Sequence, residues 1–574
     1  MATDMQAITD NLDLWTSALL TRSTAGRGSG GRVEAYGIKK LRELILELAV
    51  RGKLVDQNTN EDSALTVLRL AKRAVRPIVT IAEQNVPVGW VSIPLACVIA
   101  SNIGGGTPSK QNPSYWNGGI AWASVKDIQA DKYLNATIDS ITEEGLKDSS
   151  SNLIPPGRIL VVTRMGLGKL AINKISVAIN QDLRAIEPNE ALNLDFAYLL
   201  FKALKLVGKG VTVKGITVEE LHSITIALPP LAEQHRIVAK VDELMALCDQ
   251  LEQQQTTASE AHQTLVETLL GTLTKTPVRP EPVEGHAMRS TLRPFDKLTA
   301  QGERSEDVGS GRTDFTEAWT RIANHFDTLF TTELSIEKLK QTILQLAVMG
   351  KLVPQDPNDE PASELLKKIT AERAQLVKEG KARQKDDLPN ISEDEAPYML
   401  PNGWQWARLG QIFDISSGDG LTSANMNSSG DIPVYGGNGV TGYHDKANIS
   451  KRTLVIGRVG YYCGSIHITP ESAWVTDNAF VTTFSEQNIF IDYLYWLLKG
   501  TNLKENENAT AQPVISARKL YPIVIGLPPN GEQHRIVTKV NELMTLCDTL
   551  KTRLADAQTT QLHLADTIVE QAVA

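Results

Sequence analysis

Two stretches of this sequence carry side chains of the types that contact DNA. Arginine and lysine match the edge of guanine, and asparagine and glutamine match the edge of adenine, because of the donors and acceptors they present. The first stretch offers Thr107, Lys110, Tyr115, Trp116, Lys126, Arg164, Lys169, Asn180, Gln181 and Lys214. The second offers Tyr435, Asn438, Lys446, Arg458, Tyr461, Asn478 and Arg518. We treat these residues as candidate DNA contacts; for any single one, a plain surface position is the alternative.

Two of these arginines lie in related segments. VVTRMG begins at Val161 and VIGRVG begins at Val455. Aligned letter by letter, the segments place Arg164 opposite Arg458. The alignment predicts matching, DNA-facing positions for both arginines, with structural hydrogen bonding as the alternative.

Catalytic motifs are missing from the sequence. There is no GxxxxGK[ST] phosphate loop, and MGLGKL from Met165 lacks the spacing and the hydroxyl of one. A glycine-rich S-adenosylmethionine loop, an Asn/Asp-Pro-Pro-aromatic motif, a PD…(D/E)xK nuclease layout, metal-ligand spacing and a nucleophile elbow are also absent. His235 and His534, each in EQHRI near a helix start, are predicted to be structural. These absences indicate a binding protein with no catalytic residue, metal or cofactor of its own.

Composition restricts the class of protein. The 574 residues have a net charge of −9, which argues mildly against a bulk electrostatic binder of nucleic acid. Local charge decides such binding, and residues 86–227 and 398–527 are each near neutral. Four scattered cysteines suggest neither a zinc knuckle nor a disulfide framework. With no signal-peptide pattern and no apolar run long enough to span a bilayer, a cytoplasmic protein is expected.

The sequence contains an internal repeat. IKKLRELILELAVRGKLVDQ from Ile38 resembles IEKLKQTILQLAVMGKLVPQ from Ile336, and ALPPLAEQHRIV from Ala227 resembles GLPPNGEQHRIV from Gly526. The blocks between these markers share only traces. Constant frames therefore hold two different inserts, and Gly52 and Gly350 are predicted to cap a helix in each frame.

A long helix is predicted after each Pro-Pro pair, with Glu233 or Glu532 favouring its positive end. Apolar residues alternate there at spacings of four and three, as in a coiled-coil seam. The seam residues are Ile237, Val241, Leu244, Cys248 and Leu251, then Ile536, Val540, Leu543, Cys547, Leu550, Leu554, Ala557, Leu564 and Ile568. The pattern predicts that the two helices pair with each other; separate packing of each stripe is the alternative.

The domain organisation follows from these markers. We predict an α+β protein in which two mixed α/β inserts are joined by two long helices, with an internal repeat. The boundaries are 1–85 and 334–397 for helical frame segments, 86–230 and 398–529 for the inserts, 231–275 and 530–574 for the long helices, and 276–333 for a flexible linker rich in Pro, Gly and charge.

The doubled LPP..EQHRIV.KV.ELM.LCD.L, the paired ILxLAVxGKLVxQ and the two unlike inserts resemble the specificity subunit of type I restriction–modification systems. The resemblance implies that each insert is a target recognition domain that reads one half of a bipartite, asymmetric DNA site. It also implies that the long helices pair as an antiparallel coiled coil with pseudo-two-fold symmetry and set the gap between the half-sites.

The same resemblance implies the partners and their cofactors. Two modification (methyltransferase) subunits would carry S-adenosylmethionine, and two restriction subunits would use ATP and Mg²⁺ for translocation and cleavage. This chain itself would be non-catalytic. Two other classes remain open from the residues alone: a coiled-coil protein scaffold without DNA readout, and a self-contained DNA-modifying enzyme with cryptic motifs.

Overall fold

The computed structural model describes residues 6, 8–22, 32–71, 74–76, 86–129, 131–204, 215–274, 310–380, 388–427, 429–460, 463–501, 503 and 514–573. The chain forms two compact units. Unit 1 comprises residues 1–259 and 556–574, and unit 2 comprises residues 260–555. None of the helices in the described part of the chain has the length and apolar content needed to cross a membrane.

In each unit a short frame helix ends at a glycine that tolerates no side chain. The first short helix is Tyr36–Val50 and the second is Glu333–Val348. Gly52 has φ +68°, and a Cβ there would lie 2.6 Å from Pro87 and 2.8 Å from an indole carbon of Trp90. Gly350 has φ +69°, and the equivalent distances are 2.5 Å to Pro401 and 2.8 Å to Trp404. Both predicted glycine caps are confirmed, because only glycine adopts this conformation in so little space.

The first insert is built on two sheets. The five-stranded sheet has the order Ile99–Gly104, Leu183–Pro188, Ile159–Val162, Leu170–Asn173, Tyr133–Leu134. The four-stranded sheet has the order Asp139–Ile141, Trp116–Ala123, Val177–Ile179, Leu153–Ile154. The all-apolar strand Ile159–Val162 is buried on both faces, one against helices and the other against the second sheet. Two-sided burial explains why this stretch lacks polar alternation.

Strands at the two ends of the first insert pair with each other and return the chain to the frame. Val91–Pro94 runs antiparallel to Thr225–Leu228. The helices of unit 1 beyond the frame are Leu12–Ser17, Ala64–Leu70, Glu143–Lys147, Leu194–Ala203 and Val218–Ser223. The remaining short elements are strands Leu20–Arg22 and Arg32–Glu34 and 3-10 turns Leu95–Val98 and Pro113–Tyr115.

The second insert uses fewer strands. One sheet has the order Phe413–Ser417, Ala479–Phe484, Leu454–Gly457, Ile466–Ile468, and the other has the order Gly439–His444, Ile432–Gly436, Trp474–Val475. Gln405–Arg408 pairs with Val524–Leu527 and closes this insert. The remaining helices are Ala362–Lys378, Leu409–Ile412, Ile491–Gly500 and Ala517–Leu520, with 3-10 turns Glu393–Glu395 and Ser423–Asn425. The mixed α/β texture predicted for both inserts is confirmed.

Two long helices, Leu231–Thr274 and Asn530–Val573, have 44 residues each, which is about 66 Å. Residues 231–259 of the first long helix belong to unit 1 and residues 260–274 to unit 2; the second long helix is divided in the reverse sense. The predicted seam is buried where each helix begins: Ile237, Val241 and Cys248 are at most 1% exposed, as are Ile536 and Val540.

The seam prediction is wrong at two positions near the end of the second long helix. Leu564 is 49% exposed and Ala557 is exposed, whereas Ala565 is fully buried in unit 1. The prediction holds at Ile568, which packs against the apolar core of unit 1. Ile568 lies two heptads after Leu554, so the heptad is followed at both ends of this stretch and fails at Ala557 and Leu564.

The predicted linker 276–333 is partly helical. Helices Ser310–Asn324 and Phe326–Leu329 lie within it, whereas residues 276–309 lie outside the described residues. Trp319, Ile322 and Leu329 pack into the apolar core of unit 2. Their helical spacing places these apolar side chains on one face, which packs against the core. The prediction of a flexible linker rests on Pro, Gly and charge content and does not take this spacing into account.

Candidate nucleic-acid interface

A cleft of about 920 Å³ opens in the first insert. It is lined by Thr107, Lys110, Trp116, Trp122, Ser124, Val125, Lys126, Asp139, Met165, Lys169, Asn180, Gln181 and Asp182. Seven of the ten DNA-contact candidates in this insert therefore meet at one place. The three lysines among them are exposed, and a cleft with a cationic rim suits a polyanion.

Two tryptophans form a fixed wall of this cleft. The Trp116 and Trp122 rings meet edge to face, with centroids 5.1 Å apart and an interplanar angle of 84°. The Trp122 indole donates to the carbonyl of Gly106 at 3.2 Å, and the Trp116 indole donates to that of Ser109 at 3.2 Å. Both indole N–H groups are satisfied within the domain, so these rings offer apolar surface rather than a donor.

The turn 180–182 presents one polar side chain at the cleft. Asn180 is 6% exposed, accepts from the Asp182 amide at 3.1 Å and donates to its carboxylate at 3.2 Å. Gln181 is exposed, and its Oε1 accepts from the Thr107 hydroxyl at 2.5 Å. Asn180 thus organises the turn, and Gln181 is the side chain that the turn displays.

Two further candidates are held by carboxylates. Lys126 donates to Asp139 at 3.4 Å at the cleft. Tyr115 lies outside the cleft lining and donates to Asp148 at 2.8 Å. That hydrogen bond raises the pKa of the Tyr115 phenol. The acidic partners were missed by sequence reasoning, since no local signal links either carboxylate to its distant partner.

A rim residue was also missed. Met165 has φ +56° and is 67% exposed at the cleft. Gly166 and Gly168 beside it also have positive φ values, of 149° and 89°. A non-glycine residue in this conformation is uncommon and marks a constrained loop. The local sequence signal for this loop is MGLGK, in which two glycines follow Met165.

The strand hydrogen bonds show that Arg164 and Arg458 are not equivalent. The amide of Thr163 donates to the Asp182 carbonyl at 2.9 Å. In the second insert, the amide that donates to the matching Asn478 carbonyl, also at 2.9 Å, belongs to Arg458. Arg458 therefore corresponds to Thr163.

The bridges that follow give the same register. Arg164 bridges to Gly215, and Val459 bridges to Val514. Arg164 thus corresponds to Val459, and the predicted match with Arg458 is wrong by one residue. Successive side chains along a strand point to opposite faces, so this shift separates the two arginines in direction.

Their surroundings differ accordingly. Arg164 is exposed, with its Nε 3.9 Å from the Asp182 carboxylate. The Arg458 guanidinium lies 5.4 Å from the centre of the Phe480 ring and is half-buried. Arg164 is available at the surface, whereas Arg458 has a cation–π contact inside its own domain.

Three candidates of the second insert come together. The Arg458 amide donates to the Asn478 carbonyl, as described above. Gly437 also lies close to both segments, because a Cβ at this position would be 2.8 Å from the Val459 carbonyl and 3.4 Å from the Asn478 carbonyl. The loop that carries Asn438 is therefore packed against the loops of Arg458 and Asn478. Asn438 and Asn478 are exposed there.

The side chains of the other candidates are not part of this contact. Tyr435 is only 9% exposed in strand Ile432–Gly436, and burial raises the pKa of its phenol. Lys446 and Arg518 are exposed, and the contacts that join Asn438, Arg458 and Asn478 do not include them. Lys214 and Tyr461 lie outside the described residues.

The same anchor joins each insert to the start of its long helix. The Trp90 indole donates to the buried Glu233 carboxylate at 3.0 Å, and the Trp404 indole donates to Glu532 at 2.9 Å. Burial is the main cause that raises the pKa of both carboxyl groups. The sequence predicts only that these glutamates favour the positive end of a helix. It does not predict their tryptophan partners, which lie 143 residues before Glu233 and 128 residues before Glu532.

The two histidines of EQHRI are surface residues. His235 and His534 are exposed, and the His534 ring lies 4.2 Å from that of Phe490. Among the residues that the structure describes, no group of three or more His, Cys, Asp or Glu side chains is arranged to hold a metal ion.

A family model described as the type I restriction modification DNA specificity domain matches the chain twice, over residues 87–260 and 401–557. Each match contains one insert and the first part of the long helix that follows it.

Two curated proteins of Escherichia coli are similar to the whole chain. The EcoAI type I restriction enzyme specificity subunit is 35% identical, and the EcoEI specificity subunit is 33% identical; each comparison covers 99% of both chains. A solved chain of a type I R-M system matches with a TM-score of 0.45 and 17% identity over 85% of this chain and 99% of that one.

Proposed function

Since the chain belongs to the specificity subunits of type I restriction–modification systems, which recognise the DNA target, we propose that its two inserts read the two halves of a bipartite, asymmetric site. The observation that carries this proposal is the double match of the DNA specificity domain, with one insert in each copy. The cleft supplies the surface in the first insert, and the loops of Asn438, Arg458 and Asn478 supply it in the second.

The two frames are equivalent and the two inserts have different surfaces, so we expect the two half-sites to differ in sequence. Glu233 and Glu532 have equivalent tryptophan partners, so the frames hold the inserts in the same way. The inserts differ where DNA would be read: Gln181 lies in one turn and Asp477 in the corresponding turn. Amide and carboxylate groups match different base edges, so the two halves of the site would differ in sequence.

The long helices are proposed to pair antiparallel, with pseudo-two-fold symmetry, and to set the gap between the half-sites. Equivalent ion pairs at their far ends support this. In unit 1, Lys40 of the first short helix lies 3.1 Å from Asp566 of the second long helix. In unit 2, Lys338 of the second short helix lies 3.3 Å from Glu267 of the first long helix. Each long helix thus ends against the short helix of the other half of the sequence.

The chemistry is assigned to partner subunits. Two modification subunits with S-adenosylmethionine would methylate the site, and two restriction subunits with ATP and Mg²⁺ would translocate and cut DNA. The lack of methyltransferase, nuclease and nucleotide-binding motifs supports a non-catalytic role for this chain. The purified chain, free of partners, is accordingly expected to transfer no methyl group and cut no DNA.

Methylation-aware sequencing of DNA from a host with and without this gene tests the proposal. We expect one bipartite motif to lose methylation when the gene is absent. Replacing residues 90–227 with the corresponding insert of a relative should change one half of the motif and leave the other intact. A change in both halves would contradict separate readout. A protein scaffold without DNA readout would leave the methylated sequences unchanged in every strain.

A further inference from the structure

We propose that two equivalent turns determine base specificity through one exposed side chain each: Gln181 in turn 180–182 and Asp477 in turn 476–478. This inference rests on the proposed function, since it requires each insert to read a half-site. It adds the residue that discriminates and the class of base edge that each residue selects.

The two turns occupy the same place in their sheets. The first residue of each turn donates its amide to a neighbouring parallel strand, Asn180 to Ala123 at 3.0 Å and Thr476 to Tyr435 at 2.9 Å. Each turn then closes with a hydrogen bond from the amide three positions later to the carbonyl of its first residue, at 3.3 Å and 3.1 Å. Gln181 and Asp477 are therefore equivalent middle residues.

Each turn buries its first side chain and exposes the middle one. Asn180 is 6% exposed and Thr476 is 2% exposed, whereas Gln181 and Asp477 are exposed. A rigid turn with one outward polar group suits readout, because the ordering of its backbone precedes binding.

The two side chains offer opposite hydrogen-bonding chemistry. The Gln181 oxygen accepts from the Thr107 hydroxyl, and among the described residues the Gln181 amide N–H groups have no hydrogen-bond partner, so they are available to a base. A donor in the major groove selects an acceptor, such as guanine O6 or N7, thymine O4 or adenine N7, and rejects the N4 amino group of cytosine. The Asp477 carboxylate only accepts and selects cytosine N4 or adenine N6.

The lysines around the first turn explain how the duplex would be held. Lys110, Lys126 and Lys169 line the same cleft as Gln181. Contacts of this kind to phosphates fix the register of a protein on DNA and carry no sequence information, so we assign base discrimination in this cleft to Gln181.

The test uses the full chain co-expressed with its modification subunit. The methylated motif and its relative methylation rates are read by single-molecule sequencing. For Gln181→Glu, we expect about a tenfold or greater fall in methylation at the original base of one position in one half-site. Asp477→Asn should do the same in the other half only. Each variant thus serves as the control for the other.

Gln487→Glu is the matched control for charge. Gln487 is exposed beyond the far end of strand Ala479–Phe484, whose near end follows turn 476–478. The Gln487→Glu substitution should leave the methylation of both half-sites unchanged.

Thr107→Val provides a second, uncharged variant. Without the hydroxyl, Gln181 can present its oxygen as well as its nitrogen, so a second base should be accepted at the same position. The proposal is overturned if Gln181→Glu and Asp477→Asn complexes keep the original motif at wild-type rates, or if either changes both halves. It is also overturned if Gln181→Glu abolishes methylation at every sequence while Thr107→Val keeps the original motif. If the wild-type complex still methylates a bipartite motif, these outcomes refute only the role of the two turns. If the wild-type complex methylates no bipartite motif, the proposed function itself is refuted.

Discussion

The indole nitrogen of Trp404 lies 2.9 Å from the carboxylate of Glu532, which is fully buried at the start of the second long helix. This hydrogen bond joins the beginning of an insert to the helix that follows it 128 residues later. The equivalent bond from Trp90 to Glu233 spans 3.0 Å in unit 1. These two hydrogen bonds thus tie the start of each long helix to the insert that precedes it.

Trp404→Phe should destabilise unit 2. The substitution removes the donor and leaves a buried carboxylate oxygen without it, which costs about 1–3 kcal/mol of the free energy of unfolding. Denaturant unfolding followed by circular dichroism measures the change. Trp406→Phe is the control, because it deletes the same indole N–H from a half-buried ring whose centre lies 4.9 Å from that of Tyr398. Equal effects of the two variants would show that the Glu532 bond is not the cause.

The buried glutamates predict a pH dependence of stability. Burial raises the pKa of Glu233 and Glu532 above the ordinary value of about 4.3. The folded protein therefore holds protons that the unfolded chain has released, and their contribution to stability is lost as pH rises through the folded pKa. Relative to the wild type, the Glu233→Gln/Glu532→Gln variant should gain stability as pH rises from about 4.3 through the raised pKa values of the folded protein. Urea midpoints of both proteins across this range measure it; a constant difference would refute the raised pKa values.

Arg164→Ala and Arg458→Ala should have different effects. Arg164 is exposed beside the cleft, so its loss should weaken DNA binding by the assembled complex by about 1–3 kcal/mol without lowering the melting temperature. Arg458 contacts the Phe480 ring, so its loss should cost about 0.5–2 kcal/mol of stability. Binding titrations at fixed salt and thermal unfolding measure the two effects. Unchanged affinity of a correctly assembled Arg164→Ala complex would remove Arg164 from the interface.

Lengthening one long helix should lengthen the gap in the DNA site. Four residues inserted after Gln255, just before an exposed stretch of the first long helix, add about 6 Å and roughly one turn, so the buried face keeps its direction. DNA advances about 3.4 Å per base pair. We expect the same two half-sites to be methylated, with a gap longer by one or two base pairs. An active insertion variant with the original gap would show that these helices do not set the spacing.

Sequence by itself determined the frames, the inserts and the place of the long helices. Burial of Ile237 and Ile536 and the glycines at 52 and 350 followed from short-range patterns, because helix periodicity and backbone conformation are local properties.

Tertiary structure alone decided the register and the long-range partners. Arg458 proved equivalent to Thr163 and not to Arg164, because strand register is set by hydrogen bonds to segments distant in sequence, and a six-letter alignment does not contain them. Leu564 is exposed and Ala565 is buried because the surface that this helix packs against selects which of two adjacent side chains is covered. The Trp404–Glu532 and Thr107–Gln181 hydrogen bonds likewise depend on residues far apart in the chain, which only the folded backbone brings within hydrogen-bonding distance.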